Sequence, residues 1–181
     1  MFNLFKSVKI VLSITALIFL VLLILCPLLQ PENAIKDLTG NPGIIDNYPL
    51  ILRLPFPCQQ IYFFGDFWCH QMSERSFFIN GNQMPICARC FGIFMGVSFG
   101  TISSIIVKMR IDEKIHKRVL AILFIGYAPL MIDSLGQING LWISINPIRL
   151  ITGVVAGISF GLILSTLIDV IEKYTLIRKT K

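Results

Sequence analysis

Charge is what this chain has least of. Only 14% of its 181 residues are Asp, Glu, Lys or Arg, against 55% hydrophobic residues. That balance excludes a domain immersed in water, and the length excludes a string of domains. An integral membrane protein is left. The formal charge of +6 is segregated rather than laid out as a basic stripe interleaved with aromatics, which excludes nucleic acid as a partner and leaves the lipid bilayer. Also missing is any small-x-small cleavage pattern after the first apolar run. The residue before Cys26 is Leu25, where a lipoprotein signal wants a small side chain, so this run is expected to be retained as a helix.

What is present is four apolar runs, each near the roughly 20 residues that carry a helix across a hydrocarbon core. The expected helices cover 8–29, 87–107, 119–137 and 148–168. The predicted fold is all-α: a polytopic membrane protein forming one four-transmembrane-helix bundle over residues 1–181. Pro129 is expected to bend the third helix. Residues 30–86 form the connection between the first two. Within it, Pro31, Pro42, Pro49, Pro55 and Pro57 with Gly40 and Gly43 predict an irregular loop with no helix over 30–60. Ile61 to Trp68, carrying Tyr62, Phe63, Phe64, Phe67 and Trp68, has the composition of a segment at headgroup depth.

Basic residues set the orientation. The loop 108–118 holds Lys108, Arg110, Lys114, Lys117 and Arg118; with Lys6, Lys9 and four at the C-terminus, one side carries 11 basic residues against 5 on the other. The positive-inside rule therefore predicts a multi-pass cell-membrane protein with both termini in the cytoplasm and the cysteine-rich connection on the outer face. His116 reads as a solvated loop histidine and Cys26 as an apolar filler of the first helix.

Glycines mark the packing. Gly92, Gly96 and Gly100 recur every fourth residue, as do Gly153, Gly157 and Gly161, and the two nine-residue stretches they span agree at five positions. Either a duplicated helical hairpin or two independent small-residue packing stripes accounts for the echo.

The chemistry concentrates between Trp68 and Gly96, which holds Cys69, Cys87, Cys90, His70, Glu74, Arg75 and Arg89. Ionisable groups and soft ligands at the mouth of an apolar run are costly and mark a functional site. Asn80-Gly81 predicts a tight turn that brings Cys69-His70 back towards Cys87 and Cys90. The pattern C-H-Q-M-S-E-R-S-F-F-I-N-G followed by C-A-R-C-F-G-I-F-M-G resembles a prokaryotic family of small polytopic membrane proteins classed as a domain of unknown function. The similarity continues weakly through M-I-D-S-L-G-Q and R-L-I-T-G, over roughly residues 60 to 157. It implies a membrane protein and assigns no activity.

Three functions fit the residues themselves. The first is a metal site, with zinc as cofactor, held by Cys69, His70, Cys87 and Cys90; the two-residue gap lets Cys87 and Cys90 grip one ion. Glu74, four residues on from His70, is placed to move a proton, and Arg75 and Arg89 to hold an anionic lipid or lipid-linked substrate during metal-assisted hydrolysis or group transfer. The second is a thiol-disulfide oxidoreductase using Cys87 and Cys90, by analogy with enzymes of the vitamin K epoxide reductase kind, with Cys58 and Cys69 as shuttle pair. The third is a non-catalytic scaffold stapled by the cysteines. Asp133, Gln137 and Arg149 are the polar residues expected within or beside the spans, Asp133 and Arg149 as a snug ion pair. A transporter is disfavoured because no polar series is expected to continue past Asp133 towards the cytoplasm.

Overall fold

The computed structural model describes residues 2–107 and 109–179; Lys108 and Lys181 of the basic tally lie outside them. Four long helices dominate: α1 (Phe2–Leu29), α4 (Ala88–Ile106), α5 (Ile115–Ile138) and α6 (Asn146–Lys179). Each is long and apolar enough to cross a membrane. The chain is thus an all-α polytopic membrane protein. Two short helices, α2 (Tyr48–Ile51) and α3 (Cys58–Trp68), and an antiparallel pair of strands, β1 (Ser76–Ile79) and β2 (Asn82–Cys87), fill the connection between α1 and α4.

The connection departs from the expected helix-free loop over 30–60, and the prolines explain why. Pro49 falls in the first turn of α2 and Pro57 caps α3. A proline at a helix start gives up an N–H that had no partner anyway, so residues read as breakers here act as starters. Helix α5 begins at Ile115, which puts His116 in a first helical turn rather than in a loop. Helix α6 begins at Asn146 and runs to Lys179, past the expected end at 168.

Helices α4 and α6 cross through their glycines, and the crossing is reciprocal. A Cβ on Gly92 would overlap the carbonyl oxygen of Leu150, three residues before Gly153; one on Gly153 would overlap that of Arg89, three residues before Gly92. The same exchange joins Gly96 and Val154 O with Gly157 and Ile93 O, and Gly100 and Ile158 O with Gly161 and Val97 O. The two stripes therefore face each other in parallel, as two backbones in van der Waals contact require. Helix α1 packs on α4 and α5 on α6, flanking the central α4–α6 pair.

Each end of the bundle is fastened by groups that the apolar pattern hides. At the end away from the chain termini, called here the hairpin end, Cys26 near the end of α1 is bonded to Cys58 at the start of α3. This corrects the reading of Cys26 as filler and removes Cys58 from any pairing with Cys69. At the opposite end Lys9 of α1, almost fully buried, meets Asp169 of α6 at 2.6 Å. Lys9, counted above only among the basic residues that set the orientation, is thus enclosed with Asp169 in the α1–α6 contact. Ser13 and Ser165, one turn from Lys9 and Asp169 respectively, are buried too.

The densest core lies at the hairpin end, where Leu23, Ile35, Ile51, Tyr62, Met84 and Ile86 are all buried. Below it the helices turn apolar side chains outward, as a lipid-facing surface does.

Candidate metal centre

The turn at Asn80-Gly81 forms as expected, with φ of 54° and 70° and Ile79 opposite Asn82. Two positive φ values in a two-residue loop suit Asn-Gly and match the twist of the strands. All six residues of β2 are buried, although two are amides. Asn82 donates to the carbonyls of Pro27 and Pro31 at 2.9 and 3.0 Å and accepts from the Ile35 amide at 2.8 Å, so it satisfies carbonyls that the end of α1 leaves open. The Gln83 side chain bonds both the N–H and the C=O of Leu38 at 3.0 and 3.2 Å and also donates to Gln71 O. These amides hold the proline-rich connection against the hairpin.

Three elements deliver three sulfurs. Cys69 follows the last turn of α3 with extended backbone, Cys87 ends β2 and caps α4, and Cys90 lies in the first turn of α4. Their sulfurs all lie within 4.8 Å of one another, Cys69 and Cys87 being buried and Cys90 half-buried. Sulfurs on one tetrahedral zinc, each at about 2.3 Å from it, stand roughly 3.8 Å apart, so the spacing suits a shared ion. The Cys87 amide donates to the Cys69 sulfur at 3.3 Å, a contact that favours thiolate over thiol.

The cluster is biased towards one thiolate. Hydrogen bonds from the Cys69 and Cys90 side chains hold Cys87 far below the ordinary thiol value against the cost of burial, with the Cys90 amide and the charge of His70 adding to the effect. Cys69 moves up to about 11, chiefly because losing its proton would break its bond to Cys87.

His70 lies beside this group but outside the mutual range of the three sulfurs among the described residues. Its Nδ1 faces the Met72 amide at 3.4 Å and its carbonyl accepts from Gly40. The reason is local: Gln71 adopts φ of 46°, pinned by its side chain to Pro85 O at 2.7 Å, so no helical turn runs on from His70. Glu74 sits in a separate 3₁₀ turn, Ser73–Arg75, with its carboxylate 70% exposed and 3.9 Å from Arg75. It is not carried one helical turn from His70.

The basic groups are also redistributed. Asp133 pairs with Arg89, not with Arg149, and receives the Trp142 indole at 3.5 Å. Arg149 turns back to Asn146 Oδ1 at 2.8 Å within its own first turn, an i, i+3 contact that leaves Asp133 to Arg89. Gln137 is half-buried one turn beyond Asp133. Arg149 nevertheless lies within electrostatic reach of Arg75, Arg89, Asp133 and Cys87, so arginines and thiols share one end of the bundle.

Gln71, Asn82, Gln83 and Asn47 were not singled out from the sequence, and Asp66, an acid expected to brace the bundle by pairing with an arginine, pairs with Asn47 instead. Asp66 is fully buried and accepts from the Asn47 backbone at 2.9 Å and side chain at 2.6 Å. The one cue was amide-rich polarity beside the tight turn, where a solvated loop and a buried polar core look alike.

Comparison with known proteins places this architecture. A family model described as "Predicted membrane protein (DUF2085)" matches residues 69–163. The chain belongs to the DUF2085 family. The matched region begins at the first cysteine of the cluster and ends within α6, so Cys69, Cys87, Cys90 and both glycine stripes fall inside it, whereas α1, Cys26, Cys58 and Asp169 fall outside. An uncharacterized protein of Methanocaldococcus jannaschii is 46% identical over 89 residues, 49% of this chain and 56% of the relative. An uncharacterized protein of Methanothermobacter thermautotrophicus is 30% identical over 99 residues, 55% of this chain and 86% of the relative. The match thus spans about half the length of the first of these relatives. No solved structure matches the chain.

Proposed function

We infer that the hairpin end faces the outer side of a cell membrane and holds a zinc ion on the sulfurs of Cys69, Cys87 and Cys90, where it serves metal-assisted hydrolysis or group transfer. The carrying observation is the convergence of three buried or half-buried sulfurs from three elements within 4.8 Å. Three protein ligands leave a fourth tetrahedral position, the arrangement that lets zinc polarise a substrate or activate water. His70, whose charge reaches Cys87, is the side chain offered to orient a group there, and Glu74, exposed to solvent, is the carboxylate available to carry a proton away.

Two observations support the outer location. The disulfide Cys26–Cys58 belongs to the same end as the cluster, and disulfides persist in oxidising compartments. Basic residues crowd the opposite end. In such a compartment three adjacent thiols resist oxidation best when an ion occupies them.

The redox alternative keeps its C-x-x-C at a helix N-terminus, but Cys58, its proposed shuttle partner, is bonded to Cys26. Zinc-edge X-ray absorption of the purified protein tests the metal reading. Three sulfurs at about 2.3 Å with one light ligand are expected; a shell without sulfur contradicts it.

A further inference from the structure

Three guanidinium groups gather at the hairpin end, Arg75 and Arg89 each within electrostatic reach of Arg149, with little negative charge to match them. Arg149 is 4% exposed, yet its Nε is buried with no hydrogen-bond partner among the described residues, and the Nε of Arg89 is in the same state. Among the described residues the remaining partners are few: Arg89 has Asp133, Arg149 has the neutral amide of Asn146, and Arg75 has exposed Glu74 at 3.9 Å. Arg149 lies in the fields of both other arginines. Even with a Cys87 thiolate nearby, a buried guanidinium with an unused N–H is an expensive group unless an acceptor comes to it.

The arginines sit beside an apolar cavity. Pro129, Ile132, Asp133, Trp142, Ile148 and Thr152 line a space of about 500 Å³ between α5 and α6. Its polar head is Asp133, the partner of Arg89, and Ile148 in its wall precedes Arg149. Ile132 and Ile148 are 62% and 45% exposed, so the cavity opens sideways on the lipid-facing surface. Arg149 occupies the first turn of α6, and Asp133 lies five residues before the end of α5, about 8 Å along the axis. Headgroup depth and acyl depth are thus both represented.

We propose that this is a binding site for a lipid whose headgroup is a terminal phosphate monoester: the phosphate received by Arg149, Arg75 and the free edge of Arg89, the hydrocarbon chain lying in the α5–α6 cavity. Guanidinium forks take phosphate oxygens in pairs. A carboxylate has two oxygens and satisfies one fork, and a phosphodiester likewise offers two free oxygens; three guanidinium groups call for the three terminal oxygens of a phosphate monoester. The lateral opening selects a ligand delivered from the bilayer. The proposal names the substrate class of the metal centre and in that respect rests on the reading above, though the binding itself needs no metal.

The test uses the full chain in nanodiscs, carrying Trp68→Phe so that Trp142, in the cavity wall, is the remaining indole. Phosphatidic acid brominated in one chain is the probe, with brominated phosphatidylcholine as control. Quenching by phosphatidic acid is expected to saturate at low mole fraction while phosphatidylcholine quenches weakly and without saturation. Arg149→Gln should shift the half-point by about tenfold, the loss of one charge-assisted pair. Because a buried change risks the fold, Arg75→Gln, at a partly exposed position, is the second variant and should shift it several-fold with helicity unchanged. Equal quenching by the two lipids, indifference to both substitutions, or competition by inorganic phosphate as effective as the lipid would overturn the proposal. Zinc measured on the same samples separates the two readings: metal without lipid selectivity sinks this one alone, and selectivity without metal sinks the other.

Discussion

The backbone amide of Cys87 points at the sulfur of Cys69 across 3.3 Å, joining the end of β2 to the residue that closes α3. Cys69 is thereby a member of the sulfur group, and His70, next in sequence, is not. Substituting the two should have unequal effects. Cys69→Ser is expected to lower zinc affinity by more than about 100-fold, and His70→Ala to stay within the roughly 10–100-fold typical of a group that orients a ligand. Competition against a chromophoric chelator measures both; equal losses would place the imidazole on the metal.

Proton release provides a second check. Cys87 is held ionised by the thiols that donate to it, while Cys69 keeps its proton up to about 11. Metal binding requires thiolates, so uptake near neutral pH should release about two protons rather than three. The sign follows: affinity rises with pH across this range, because the donor thiols must still lose protons. Calorimetry in buffers of different ionisation enthalpy gives the number, and zero protons would mean that the cluster is not the ligand set.

The Cys26–Cys58 bond ties α1, which lies outside the matched family region, to the part of the chain that carries the cluster. Non-reducing peptide mapping should recover these two cysteines linked, with Cys69, Cys87 and Cys90 alkylated only after denaturation in chelator. Cys26→Ser should lower stability by about 2–4 kcal/mol. Alkylation of Cys26 in the untreated protein would contradict the assignment.

The spans were legible because their information is local: apolar length, basic flanks and the four-residue glycine repeat all survive in one dimension. The tight turn was legible for the same reason, since Asn80 and Gly81 tolerate positive φ. The fastening of the cap was not. Asn82 and Gln83 look like solvated loop residues until the ends of α1 and β2 are known to meet, and Cys26 looks like hydrocarbon until Cys58 stands beside it. The pairing of Asp133 with Arg89 rather than Arg149 likewise depends on how α5, packed on α6, comes within reach of Arg89 at the start of α4. The glycine stripes were read as packing surfaces, but their mutual, reciprocal contact appears only in three dimensions.

Lys9 and Asp169 face each other at 2.6 Å in a buried setting, where removing one partner strands the other's charge. Lys9→Met is expected to destabilise by about 3–5 kcal/mol, and Lys9→Met/Asp169→Leu to recover most of that loss. Thermal unfolding in one detergent at fixed pH compares them. A double variant no better than the single would show that the pair does not act as a unit.

Metal content tests the central claim most directly. Protein purified without chelator should contain about one equivalent of zinc per chain by elemental mass spectrometry. The Cys87→Ser/Cys90→Ser protein, still carrying the Cys26–Cys58 disulfide and eluting as a single species, should contain almost none. A wild-type chain with no stoichiometric metal, or a double variant that retains it, would contradict the assignment of these three sulfurs as a metal centre.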